Sequence, residues 1–163
     1  MAFNNGYNSG NTNYGRQPYG SRPQQTRNFP DRQPQTEEIK PEALPAEYVD
    51  CAERVMRKVM DDGSRITTSK IRNLLSLVSD IYNEENIRTA DEILPESMTS
   101  LMMMRIRVVY EAGREPSVKS FVKEAKILEY LKDIGNNREK LINFAHYMEA
   151  LVAYHRFFGG RES

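Results

Sequence analysis

Two histidines, one cysteine and the adjacent acidic pairs Asp61-Asp62 and Glu84-Glu85 are the first residues to weigh for catalysis or metal binding. His146 and His155 lie nine residues apart on one predicted helix. At about 100° per residue they point in opposite directions and cannot close on a single metal ion. His155 falls on the apolar side and reads as a hydrogen-bonded core residue. Cys51 has no His or Asp relay around it and reads as a small residue on a helix face. As the lone cysteine it forms no internal bridge, which favours a reducing cytoplasm. Glu84-Glu85 and Asp61-Asp62 are neighbours of the kind that helices and turns leave solvated. No HExxH, paired CxxC, GxxxxGK[ST] or GxSxG occurs. Gly113-Arg114 reads as a helix end before it reads as a phosphate loop. The expectation is a chain with no catalytic residue, no cofactor and no metal site.

Binding chemistry has better physical support. Thr67-Thr68-Ser69 is a run of good capping residues, and a helix opening there leaves free backbone N–H groups at its positive end, where phosphate is favoured. Lys70 and Arg72 flank that turn on either side of the apolar stripe. Arg107, Arg114, Lys119 and Lys123 surround the join between two later helices. Brought together, these groups would make a basic surface suited to a sugar–phosphate backbone, without reading base edges. Arg105 points into an apolar stripe, so it either pairs with a buried carboxylate or reaches out to a ligand.

Five predicted helices must position these residues, with no convincing alternating strand. The first spans about 47–60, with Val55, Met56 and Val59 near one face, and stops at Asp61-Asp62-Gly63. The second spans about 67–82 and buries Ile71, Leu74, Leu75, Val78, Ile81 and Tyr82. Residues 83–94 are ambiguous between a loop and a helical turn. The third, 95–113, is apolar nearly all round, with Met98, Leu101, Met102, Val108, Val109 and Ala112 on one side and Met103 and Tyr110 on the other. Such a helix is central in its bundle or covered by a partner. The fourth starts at Pro116 and runs to Gly135, its core side Val118, Phe121, Ala125, Leu128 and Leu131. Lys119, Lys123 and Lys126 form a stripe on its other side, ending at Tyr130; stripes of this kind are usually just solvated. The fifth, about 137–158, buries Leu141, Phe144, Met148, Leu151 and Val152. The fold class is therefore all-α: a compact bundle of about five helices joined by short loops.

Composition divides the chain. It has 163 residues, 23 basic and 23 acidic, so its formal net charge is zero and it is no generic polycation. Residues 1–41 carry five basic and three acidic side chains, for +2, and residues 42–163 carry 18 and 20, for −2. No Val, Ile or Leu occurs in residues 1–38, and Asn, Gln, Gly, Pro, Tyr and Arg dominate there. That stretch cannot offset the entropy of ordering, so residues 1–41 read as a disordered tail and 42–163 as the folded domain. Tyr7, Tyr14 and Tyr19 interleaved with Arg16, Arg22 and Arg27 could stack on single-stranded RNA, although a plain solubilising tail is favoured. No window approaches 18 consecutive apolar residues, so no membrane span is expected.

Three segments carry a resemblance: ITTSKIRN (66–73), VVYEAGREPSVKSF (108–121) and YMEALVAYHRFF (147–158). In this order and spacing they resemble the hallmark blocks of the small helical subunit of type III-A (Csm-type) CRISPR effector complexes. The resemblance covers roughly residues 64–160 and leaves out the tail. It implies a non-enzymatic antiviral role in which copies of the subunit stack into a filament beside the backbone subunit and line the channel that holds guide (CRISPR) RNA and target RNA. The nuclease, DNase and cyclic-oligoadenylate activities would belong to other subunits. The TTSKIRN block implies RNA contact by Thr68, Ser69, Lys70 and Arg72; the basic pair before YEAGRE implies Arg105 and Arg107, and the block itself Arg114. Lys119 and Lys123 rest on geometry alone. The third helix and the edge of the fifth (Tyr147, Tyr154, Phe158) are candidates for subunit–subunit contact. The runner-up is a helical protein–protein adaptor with no direct RNA contact. A helix-turn-helix DNA binder is disfavoured, because residues 63–75 lack a compact two-helix turn leading into a basic recognition helix.

Overall fold

A computed structural model describes residues 1–3, 6, 10, 15, 38–63 and 66–162. The chain divides into Met1–Thr36 and Glu37–Ser163. The tail reading, with its Tyr and Arg residues, falls almost wholly outside the described residues. From residue 38 onward the described chain is helical: α1 Tyr48–Asp61, α2 Thr68–Asn86, α3 Pro95–Arg114, α4 Pro116–Glu124, α5 Ile127–Ile134 and α6 Arg138–Phe157. The only β-type pairing among the described residues is an isolated bridge between Glu92 and Asn137.

Local chemistry sets most of the ends. The Thr67 hydroxyl accepts the Lys70 N–H at 3.4 Å at the head of α2, and the Asn137 side chain accepts the Lys140 N–H at 2.9 Å at the head of α6. Pro95 and Pro116 open α3 and α4, where a missing N–H costs nothing. Gly63, at φ 67°, provides the left-handed exit beyond α1.

The fourth predicted helix is in fact two. Ala125 ends α4 and Lys126 takes a left-handed conformation at φ 49°, after which α5 starts in a new direction. The change of direction brings Ile127, Tyr130, Leu131 and Ile134 onto the core side, so Tyr130 is buried and does not end a basic stripe. The Lys126 ammonium pairs with Glu42 at 2.6 Å, and the Glu42 N–H donates to the Glu129 carbonyl at 3.3 Å, which holds the incoming segment against the break.

The core is one cluster built around α6, which packs chiefly on α1 and α2. Leu141, Phe144, Tyr147, Met148 and Leu151 meet Ala52, Met56, Ile71, Leu74 and Val78 within that cluster. Tyr147, expected on an exposed edge, is wholly buried; its hydroxyl donates to the Ala125 carbonyl at 3.0 Å and its ring meets Tyr130 edge-on. Tyr154 and Phe158 are half-buried, and the exposed aromatic of that edge is Phe157. On α3 only the row Ser97, Leu101, Met104, Val108, Ala112 is buried. Met102 and Val109, expected on the core side, lie outward with Met103, Ile106 and Tyr110, because α3 packs its neighbours on one face only.

His155 is buried, with its Nε2–H directed at the Ile66 carbonyl (3.2 Å) and its Nδ1 facing the Thr68 hydroxyl (3.1 Å). Burial holds its pKa below the ordinary histidine value, the Ile66 carbonyl working the other way. The unfolded chain therefore takes up a proton first. Stability is full above about pH 6.5 and is lost as pH falls from there toward the lower folded-state pKa. Thermal unfolding between pH 7.5 and 5.5 should show this slope, and a His155→Gln chain, though less stable throughout, should lack it.

Candidate nucleic-acid interface

The outer rows of α2 and α3 face each other across a groove of about 350 Å³. Lys70 and Asn73 line its α2 wall; Arg107, Tyr110, Glu111 and Arg114 line its α3 wall, and Glu115 closes the end. The spacing explains the gathering. Arg107, Tyr110, Glu111 and Arg114 sit three, four and seven residues apart and so share one helical stripe, as do Lys70 and Asn73. The groove continues past Leu77 and Arg107 into a wider trough of about 510 Å³ with an acidic and hydroxyl lining that includes Ser76, Asp80, Glu84 and Thr99.

Two sequence blocks almost forty residues apart, TTSKIRN and YEAGRE, thus meet in one groove. Of the nine expected contact residues, it collects Lys70, Arg107 and Arg114. Arg107 is exposed, and no ion pair holds it among the described residues. Arg114 pairs with Glu111 at 2.8 Å and lies 6.0 Å over the Tyr110 ring. Lys70 is ion-paired with Glu115, and its ammonium holds the Glu115 carboxyl below the ordinary carboxylate value. The groove walls are therefore mixed in sign, three cations against two carboxylates. Sequence reading missed Glu111 and Glu115, and it missed Tyr110 and Asn73 as lining. The i+3, i+4 and i+7 spacings from Arg107 and Lys70 were the available signal.

The remaining candidates lie elsewhere. The α2 start is not free: the Thr68 N–H donates to the Arg161 carbonyl at 2.7 Å and the Ser69 N–H to the Glu162 carbonyl at 3.2 Å. Thr68 itself is wholly buried against His155, and the Ser69 hydroxyl also donates to the Glu162 carbonyl. Arg161 and Glu162 thus satisfy the donors that the sequence leaves open for phosphate. Arg72 turns away from the groove toward Glu162, 3.4 Å from it. Arg105 is exposed, with no buried carboxylate beside it; it follows Met104 by one residue, which turns it some 100° off the buried row. It emerges on the stripe of Met102 and Val109. Lys119 and Lys123 are exposed on α4, outside the groove lining.

Outside the groove, His146 bridges α1 and α2 by hydrogen bonds of 3.3 Å to the Tyr48 and Tyr82 hydroxyls. Among the described residues no group of three His, Cys, Asp or Glu side chains could hold a metal ion, and no helix is long and apolar enough to cross a membrane.

The family model for Csm2 of type III-A systems matches residues 43–161, which takes in all six helices. The chain belongs to the Csm2 family. It is 44% identical over 118 residues to the CRISPR system Cms protein Csm2 of Streptococcus thermophilus, covering 71% of this chain and 93% of that one. It is 39% identical over 102 residues to the protein of the same name from Mycobacterium tuberculosis (strain CDC 1551 / Oshkosh), covering 62% and 82%. The Enterococcus italicus Csm2 is 33% identical over 100 residues, covering 57% and 68%. The Csm2 match begins only at residue 43, so the Asn/Gln-rich stretch lies outside it.

Proposed function

We propose that this Csm2-family chain is a non-catalytic small subunit of a cytoplasmic type III-A CRISPR ribonucleoprotein in antiviral defence. In this reading its copies form the inner filament and contact the guide RNA–target RNA backbone without sequence readout. The observation that carries the reading is the α2–α3 groove, where Lys70, Arg107 and Arg114 converge from two separate sequence blocks. Guanidinium and ammonium groups suit phosphate oxygens. Of the two carboxylate partners, Glu111 pairs with a well-exposed guanidinium and exchanges readily for a phosphate. The half-buried Lys70–Glu115 pair is the tighter hold, so Arg107 and Arg114 are the leading phosphate contacts. Arg72, Lys119, Lys123 and Arg105 would extend the contact on neighbouring faces, and Thr68 and Ser69 only after residues 161 and 162 move away. Base pairing between guide and target would supply sequence specificity, and this subunit would supply spacing and charge. The outward apolar residues of α3 (Met102, Ile106, Val109) would meet neighbouring subunits.

The test is an Arg107→Ala/Arg114→Ala chain assembled into the full ribonucleoprotein. Assembly should be intact. Target-RNA affinity should fall about tenfold at low salt, equally for unrelated target sequences, and the slope of log affinity against log salt should become shallower by about one per lost contact and per copy. Unchanged binding across the salt series would leave the adaptor reading, which the exposed α3 face favours: partner contact without RNA contact.

A further inference from the structure

The end of the described chain folds back as a strap. After α6, Gly159 at φ 83° reverses the chain, and the Gly160 N–H donates to the His155 carbonyl at 2.8 Å. Residues 161 and 162 then run along the head of α2, their carbonyls accepting the Thr68 and Ser69 N–H groups. This places the Glu162 side chain between two helices. One carboxylate oxygen faces Arg72 of α2 at 3.4 Å, and the other is ion-paired with Arg156 of α6. The arginine side chains are 54% and 55% exposed, so this is a surface pairing of the weak, exchangeable kind.

We infer that this strap is an autoinhibitory contact, in which the Glu162 carboxylate holds Arg72 and Arg156 in place of an RNA backbone phosphate. The chemistry matches group for group. A carboxylate and a phosphodiester each carry one negative charge on two oxygens, and each is bound by a pair of guanidinium groups. Arg72 belongs to the TTSKIRN block yet turns away from the α2–α3 groove, and Glu162 is the group it meets. When RNA engages, the phosphate takes the two arginines and the strap lifts, which also frees the Ser69 hydroxyl and N–H. The strap thus weakens RNA contact at this edge until an RNA strand is held nearby by the groove. This inference rests on the RNA-backbone reading of the preceding section.

The experiment measures target-RNA affinity of the assembled ribonucleoprotein carrying the full chain as wild type, Glu162→Gln, Arg72→Ala/Arg156→Ala, the triple combination, and Arg107→Ala/Arg114→Ala. Glu162→Gln should tighten binding about two- to five-fold, the range set by a surface ion pair. That gain should vanish in the Arg72→Ala/Arg156→Ala background. No gain, or a gain that persists without the two arginines and is therefore a general charge effect, overturns the strap. The groove variant separates the two ideas. If it weakens binding while the Glu162 cycle is additive, only the strap is wrong; if it leaves binding unchanged, the RNA-backbone reading has failed and the strap falls with it.

Discussion

Glu85→Ala is expected to cost about 3 kcal/mol of folding stability, measured by chemical denaturation at neutral pH. Glu85 sits in the last turn of α2 and is wholly buried, although its place in an adjacent acidic pair suggested a solvated residue. One carboxylate oxygen accepts the Leu94 N–H at 2.8 Å and so caps the start of α3, which has no side-chain cap of its own. The other accepts the Arg88 guanidinium at 2.5 Å, and the same guanidinium donates to the Glu92 carbonyl. The Glu85 carbonyl in turn accepts Arg138 from the head of α6. Removing the carboxylate leaves a buried N–H unsatisfied and loosens the whole α2–α3 connection. Glu85→Gln keeps an acceptor for Leu94 and should lose about half as much.

The same site sets an acid limit. Burial pushes the Glu85 carboxyl up, but the Leu94 N–H and Arg88 together hold it below the ordinary value. Its contribution is complete above about pH 4.5 and is lost as pH falls through the lower folded-state pKa. The Glu85→Ala chain should show a flatter stability profile there. An equal acid slope in both chains would rule out Glu85 as its source.

Gly160→Ala is expected to cost about 2 kcal/mol, by overpacking against a group that cannot yield. A β-carbon at Gly160 would lie 2.1–2.7 Å from three atoms of the His155 ring. That ring is buried and bonded at both nitrogens, so the relief has to come from residues 159–162 lifting off the head of α2. Faster amide exchange at Thr68 and Ser69 should accompany the lower melting temperature. A variant of unchanged melting temperature and unchanged exchange would contradict the close approach.

Most of the fold was legible because helical spacing and caps agreed. Pro95, Pro116, Thr67, Asn137 and Gly63 each mark an end that the structure keeps. The break at Ala125–Lys126 carries no Gly or Pro, and a lysine in the left-handed region leaves no mark in a sequence. The α3 wheel failed for Arg105, Met102 and Val109 because a helix apolar all round does not say which face it buries. Periodicity gives a stripe and not its neighbour, so it places Lys70, Arg107 and Arg114 on outward rows without bringing those rows together. The occupied α2 head was hidden for another reason: its partners, Arg161 and Glu162, lie some ninety residues downstream and have no pattern of their own.

That separation applies to the core as well. Among the described residues α6 follows the other five helices, and the two it chiefly covers are the first two. During synthesis, therefore, the apolar rows of α1 and α2, with Met56, Ile71 and Val78 among them, leave the ribosome well before the element that shields them. At about 5–20 residues per second, α6 follows several seconds later. For that interval α3 can cover part of α2, but the rows of α1 and α2 that face α6 stay open to water.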